Sequence, residues 1–316
     1  MQTLNFEQAV EALHNDQLVI FPTETVYGLG ANAASDEAVA RIYEAKGRPS
    51  FNPLIVHVSG QDQASTLGIW GHRAGALANA FWPGPLTIVL PQKSDSKVST
   101  IVTAGSENIA LRCPAREQVR KLADKLPSGV AAPSANKSGL LSPSRAAHVM
   151  DSFSDVSWIG YLSGEEPNIG LESTVIDISG PNAQILRHGA VTKAQLERVI
   201  GQVTENQKYL EDFSDEQVSS PGQLRRHYAP PIPLFLNQLH VFPGQALLAF
   251  GSDVPDASLV YNLSYQGDLV EAASRLFEGL HVLSGSGADA ICAMPVPNEG
   301  IGRAINDRLA RGAVPL

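Results

Sequence analysis

The stretch Leu18-Val19-Ile20-Phe21-Pro22-Thr23-Glu24-Thr25-Val26-Tyr27-Gly28-Leu29-Gly30 points to the kind of fold this chain adopts. Its four leading apolar residues read as a short buried strand that Pro22 stops. Hydroxyls and a carboxylate follow at once, then two glycines. Loops at strand ends are where α/β sheets bind ligands. Hydroxyls there can bond a polar substrate, and glycines can let backbone approach it. A plain strand-to-turn connection reads the same way, and Gly28-x-Gly30 lacks the third glycine of a dinucleotide fingerprint.

Outward from that stretch, strands and helices alternate. Residues 5–14 place Phe6, Ala9, Val10 and Leu13 on one helical face, and Ser35 can cap a helix reaching Ala45. Strands are predicted at 54–58, 86–90, 109–113, 130–132, 157–161, 173–178 and 184–187. Helices are predicted at 72–81, 115–126 and 192–200, and Trp82-Pro83-Gly84-Pro85 makes a rigid turn. Alternation of this kind predicts an α/β sheet, and the short connectors make it mixed. Residues 201–230 are polar and acidic and contain Ser219-Ser220-Pro221-Gly222, which reads as a linker. A second alternation then runs through strands 246–250, 258–262 and 289–294 and helices 268–283 and 300–311. It predicts a small three-layer α/β domain. The expected division is 1–200, a linker over 201–230, and 231–316.

The 316 residues carry a net charge of −9, and a protein whose main task is to coat nucleic acid should be basic. No apolar run is long enough to span a membrane, and the acidic, amphipathic start does not read as a signal peptide. Cys113 and Cys292 are far apart and form no metal pattern, which suits a reduced, cytoplasmic setting.

Several further residues could carry chemistry. Lys46 and Arg48 flank Gly47 at a predicted helix end, followed by Asn52. Arginine can fork two phosphate oxygens and lysine adds a point charge, although basic residues also suit any helix C-terminus. His57 lies within an apolar strand and needs a polar partner, as ligand or as structural residue. The loop Ala132-Pro133-Ser134-Ala135-Asn136, with Ser142 beyond it, could hold a nucleotide or a carboxylate, or simply turn the chain. Arg112, among Ile109, Ala110, Leu111 and Cys113, is costly to bury unless an anion or a carboxylate pairs with it. Ser173 and Arg187 close the set. There is no Walker loop, Rossmann fingerprint, kinase signature or nucleophile elbow. Spacing and charge therefore reach an anionic small molecule, a nucleotide by default, and stop short of the reaction.

Taken together, these pieces resemble the Sua5/YrdC family. Lys46-x-Arg48 and Ser134-x-Asn136 occur in the family's order. So do Pro22-Thr23-Glu24-Thr25, the Trp82-Pro83-Gly84-Pro85 turn, Glu172-Ser173-Thr174-Val175 and Ile185-Leu186-Arg187. The resemblance covers 4–195; SPGQLRRHYAP and the tail GIGRAINDRLARGA resemble the longer, Sua5-type form. It implies an open twisted mixed sheet around a deep basic cavity, plus a smaller Rossmann-like C-terminal domain.

The implied activity is synthesis of L-threonylcarbamoyl-AMP from L-threonine, bicarbonate and ATP, with Mg2+ accompanying ATP. That product serves N6-threonylcarbamoylation of tRNA adenosine 37 and would pass to a Kae1/TsaD-type transferase. By motif match, Thr25, His57, Arg112, Ala132 and Ser173 would contact threonine. Lys46, Arg48, Asn52, Asn108, Ser134, Asn136, Ser142, Arg187 and Tyr228 would hold ATP, with Lys46 and Arg48 the catalytic pair. Tyr228 would reach back from the linker as part of a lid, although Gln223, Leu224, Arg225 and Arg226 depart from the aromatic or basic residues often found there. Two rivals stand beside this reading. One is an RNA-binding maturation factor without catalysis, or weak RNA binding alongside it. The other is a carbamoyltransferase, whose relatives carry zinc-finger and acylphosphatase modules absent here.

Overall fold

The computed structural model describes residues 1–154, 156, 158–205 and 227–313. Eleven strands build the first sheet: β1 (Gln2–Leu4), β2 (Leu18–Pro22), β3 (Tyr27–Asn32), β4 (Ile55–His57), β5 (Leu86–Pro91), β6 (Asn108–Arg112), β7 (Val130–Ala131), β8 (Ile159–Leu162), β9 (Thr174–Asp177), β10 (Ala183–Arg187) and β11 (Val203–Glu205). Their order is β1-β8-β2-β3-β7-β4-β6-β5-β9-β10-β11. Parallel pairs such as β4 with β6 alternate with antiparallel ones such as β2 with β3, so the sheet is mixed as expected. Around it run α1 (Phe6–His14), α2 (Asp36–Lys46), α3 (Gln61–Leu67), α4 (His72–Phe81), α5 (Glu117–Asp124), α6 (Ala146–Ser152) and α7 (Lys193–Ile200).

Local chemistry sets the helix ends near the site. The Ser35 side chain accepts from the Ala38 amide and starts α2. Gly47, at φ 60°, stops it in the left-handed region that glycine occupies without strain. Lys46 and Arg48 thus leave the helix on either side of a sharp turn.

The opening stretch needs a correction. Residues 27–32 are not a glycine loop but strand β3, paired antiparallel to β2. A Cβ on Gly30 would lie 2.4 Å from the Phe21 ring, and one on Gly28 would lie 3.1 Å from it. Both glycines therefore make room for Phe21 within the hairpin, and Gly28 also lines the cavity described below. Val203–Glu205, expected as linker, is instead the edge strand beside β10. The remainder of that linker, 206–226, lies outside the described residues, as do Gln223 to Arg226.

The second sheet is wholly parallel: β12 (Leu234–Phe235), β13 (Gln245–Ala249), β14 (Val260–Asn262) and β15 (Ala290–Ala293), in the order β12-β15-β13-β14. Strand alternation divides its faces. Ala246, Leu248, Ile291 and Ala293 pack on α8 (Leu269–Ser284) and α9 (Gly302–Gly312). Leu247, Ala249, Cys292 and Met294 meet Val241, Val254 and Ala257, which lie outside the helices. Among the described residues, helices thus cover one face of this sheet and loop residues the other. The core under α8 continues to Val26, Leu141 and Leu171 of the larger unit, so one apolar cluster spans the junction while the larger unit keeps its own cores.

Candidate active site

Sheet register gathers the cations. His57 pairs with Arg112 across β4 and β6, Thr87 with Val175 across β5 and β9, and Val175 with Arg187 across β9 and β10. Residues far apart in sequence thus meet at one level of the sheet. Above this row a cavity of about 40 Å3 is lined by Thr25, Arg48, His57, Arg112, Ala132 and Ser134, together with Glu172, Arg187, His227 and Tyr228. That is room for a few waters and far less than a nucleotide needs.

Arg112 answers the cost of its burial with Glu24. Its Nη2 donates to Glu24 Oε1 at 2.6 Å and to Thr25 Oγ1 at 2.9 Å. The other Glu24 oxygen accepts from the Ala115 amide at 3.0 Å. Thr23 and Thr25 share a hydroxyl contact at 2.8 Å, which fixes the turn between β2 and β3. The sequence demands a carboxylate for Arg112; only the fold selects Glu24.

His57 is buried at the end of β4, and burial together with the adjacent Arg112 pushes its pKa down to about 3. It is therefore neutral and a weak base. His227 is also held neutral, by burial and by Arg48 and Lys46.

The nucleotide-type residues divide into two groups. Arg48 and Arg187 line the cavity, both buried, and burial brings Arg48 down to about 10. Arg48 is braced by Asn52, donating to its carbonyl at 3.1 Å and its side-chain oxygen at 2.6 Å. Arg187 donates to the Ser173 carbonyl and hydroxyl, each at 3.1 Å, and Ser173 also meets Thr87 at 2.7 Å.

Lys46 stands behind the wall. Its ammonium donates to the carbonyls of Ser134, at 2.6 Å, and Asn136, so it pins that loop to the end of α2. Burial and Arg48 lower its pKa strongly. Asn136 donates to the carbonyls of Lys137 and Leu140, and the Ser142 hydroxyl donates to Glu172. Asn108 lies apart. It begins β6, four residues before Arg112, and donates to Ser179 at 3.2 Å. Buried Ile55, Val89 and Ala110 lie between the two along the strands.

Glu24, Glu172 and His227 have no assigned role in the sequence reading. The signal for both carboxylates is the same: a buried cation requires a partner.

A cavity at the strand ends of a mixed sheet, rich in fixed cations and hydroxyls, defines an α/β protein that handles an anionic small molecule. A family model described as "Telomere recombination", that of Sua5, YciO and YrdC, matches residues 11–189. A second, described as "Threonylcarbamoyl-AMP synthase, C-terminal domain", matches 191–314. The chain belongs to the Sua5/YrdC family.

It is 38% identical to a threonylcarbamoyl-AMP synthase of Bacillus subtilis, over 97% of this chain and 92% of that protein. A threonylcarbamoyl-AMP synthase of Pyrococcus abyssi is likewise 38% identical, over 95% of this chain and 92% of the relative. The crystal structure of P. abyssi Sua5 complexed with L-threonine matches with a TM-score of 0.90 at 35% identity, covering 99% of this chain and 97% of that one.

Proposed function

We propose that this chain synthesises L-threonylcarbamoyl-AMP from L-threonine, bicarbonate and ATP and releases pyrophosphate. The observation that carries the reading is the convergence of Arg112, His57 and Thr25 with Arg48 and Arg187 around one cavity in a Sua5-type fold, with Ser173 bonded to Arg187 beside it. Similarity over nearly the whole chain to the synthases of B. subtilis and P. abyssi supports it.

Threonine's carboxylate would meet Arg112, and its hydroxyl would be read by Thr25, Ser173 and the neutral His57, with the Ala132 backbone alongside. A site built on buried polar groups rejects valine because it would leave them unbonded. Arg48, Arg187, Ser134 and Asn136 would hold ATP, with Lys46 keeping their loop in place and Asn52 bracing Arg48. Ser142 and Tyr228 would complete that wall, and Asn108 would contact the far end of a nucleotide lying over Ile55 and Ala110.

Bicarbonate takes up the proton shed by the threonine ammonium and loses water to give CO2; the freed amine then adds to that carbon and releases a second proton to solvent, giving a carbamate. A carbamate oxygen then attacks the α-phosphorus, and pyrophosphate departs with the bridging electron pair. His57 is too weak a base to drive this, so positioning and fixed positive charge supply the acceleration. Mg2+ enters as part of the substrate MgATP. Glu172 in the cavity lining and Glu24 behind Arg112 are both engaged by arginines, so phosphate oxygens and water would hold the ion.

In this reading the unit ending in β11 at Glu205 is catalytic, the segment from there to 230 acts as a lid and 231–316 dock it, and His227 and Tyr228 shift to admit substrates. The product is a reactive mixed anhydride that would pass to a Kae1/TsaD-type transferase in the cytoplasm; weak RNA contact would be incidental.

The test mixes the protein with L-threonine, bicarbonate and MgATP and looks for the adenylate by mass spectrometry. Pyrophosphate is counted with each substrate omitted in turn. Pyrophosphate release that ignores threonine would overturn the reading, and so would RNA retention with no release at all.

A further inference from the structure

The tail motif GIGRAINDRLARGA forms α9, and its Arg308 side chain is wholly buried. Arg308 Nη1 donates to Asp307 at 2.7 Å, and Asp307 also accepts from Arg311 at 2.9 Å. That arrangement already supplies Arg308 with a carboxylate inside its own unit. Its Nε nevertheless crosses to the larger unit and donates to Glu172 Oε2 at 3.0 Å. The guanidinium also lies over the Tyr228 ring, 5.1 Å from the centroid. Glu172 and Tyr228 both line the cavity, and Arg308 stands behind them.

Glu172 is a junction. Its Oε1 accepts from the Ser142 hydroxyl, and the next residue, Ser173, is bonded by Arg187 and Thr87. Docking alone does not call for a buried ion pair here, because such pairs add little stability over apolar packing but do fix geometry. The shared apolar core and the outer Arg145–Glu278 bridge, at 2.9 Å, already join the units.

We propose that Arg308 is a positioning residue for the reaction, acting through Glu172 to hold the Ser142–Ser173 wall and to keep that carboxylate away from Arg187. This rests on the synthase reading above and gives the smaller unit a part in the chemistry. Without Arg308, the Glu172 carboxylate has cations of the phosphate site as its nearest alternative partners. It then competes with ATP for them, and ATP affinity falls while the threonine contacts at Arg112 persist.

The experiment compares wild type, Arg308→Met, Arg308→Lys and Arg145→Gln by threonine-dependent pyrophosphate release, with KM measured separately for ATP and threonine. Wild type must first release threonine-dependent pyrophosphate; if it does not, the synthase reading fails before this one is judged. Arg308→Met should raise the ATP KM by about ten-fold or more and the threonine KM far less. Arg308→Lys keeps the charge without the planar fork and should fall between. Arg145→Gln, which removes the docking bridge to Glu278 and the half-exposed pair with Glu166, should leave both KM values within about two-fold. An unchanged ATP KM in folded Arg308→Met overturns the proposal, as does an equal shift in Arg145→Gln. If Arg308→Met does not fold, Arg308→Lys decides: a raised ATP KM supports positioning, and an unchanged one overturns it.

Discussion

The two sheets treat charge in opposite ways. The larger one buries Glu24, Arg48, Arg112 and Arg187 at or beside its strand ends, each held by the turn or strand next to it. The smaller sheet buries no charged side chain on its strands. Among the described residues, its buried charges are Arg308 and Arg311, both on α9. Burying an ion costs several kcal/mol unless good partners are supplied. The larger unit accepts that cost where a ligand must be recognised. The smaller one is an apolar scaffold with one charged helix turned toward its neighbour's site.

The largest expected effect comes from the cavity cations. Arg48→Ala should lower turnover by roughly a hundred-fold or more with the fold retained, since in the proposed reaction it removes the charge that would meet the phosphates. Measured as threonine-dependent pyrophosphate release, undiminished turnover would erase the contrast between the two units.

Arg112→Met should strike stability as well as threonine affinity. It leaves Glu24 buried without its cation, a loss of about 3–5 kcal/mol. Denaturant unfolding reads this directly; a change under 1 kcal/mol, as order of magnitude, would mean Glu24 finds another partner.

Acid should act next. His57 has its folded pKa depressed from 6.5 to about 3. Above pH 6.5 both folded and unfolded forms are neutral there and its contribution is complete. As pH falls from 6.5 toward 3 the unfolded chain takes up a proton that the folded one refuses, so stability drains away. Thermal midpoints should fall between pH 7 and about 5, and His57→Gln should flatten the slope. Equal slopes in both proteins would place the acid sensitivity elsewhere, the buried His227 being next in line.

The smallest effect is expected on the outer face of α8, where Arg275 bridges Glu271 at 3.2 Å. Arg275→Ala should cost less than about 1 kcal/mol, because the pair is half-exposed and screened. A larger loss would show that the smaller unit also depends on charge for its own fold.

Much of the larger fold was legible in the chain. Apolar runs such as 86–90 and the Ser35 cap carry their meaning locally, because burial and capping depend on neighbours in sequence. β3 was not legible, since Tyr-Gly-Leu-Gly mimics a loop until Phe21 is seen packing over the glycines. The loop residues Val241, Val254 and Ala257 that pack on one face of the second sheet were hidden for a related reason: alternation shows that a face is apolar but not what covers it. Within the site, Arg112, Arg48 and the Ser134–Asn136 loop could be singled out. Lys46 was singled out as well, yet its place behind the wall depends on two backbone carbonyls nearly ninety residues away.

By itself the sequence determined the α/β alternation, the mixed sheet, the positions of the strand-end motifs and the need of a buried arginine for a counter-charge. Those properties follow from local periodicity and from the cost of burying an ion. Tertiary structure alone decided that Glu24 answers Arg112, that sheet register brings His57, Arg112 and Arg187 to one level, and that Arg308 reaches Glu172 across 136 positions of chain. Pairing of strands and docking of units depend on where distant surfaces fit, and no local pattern encodes that.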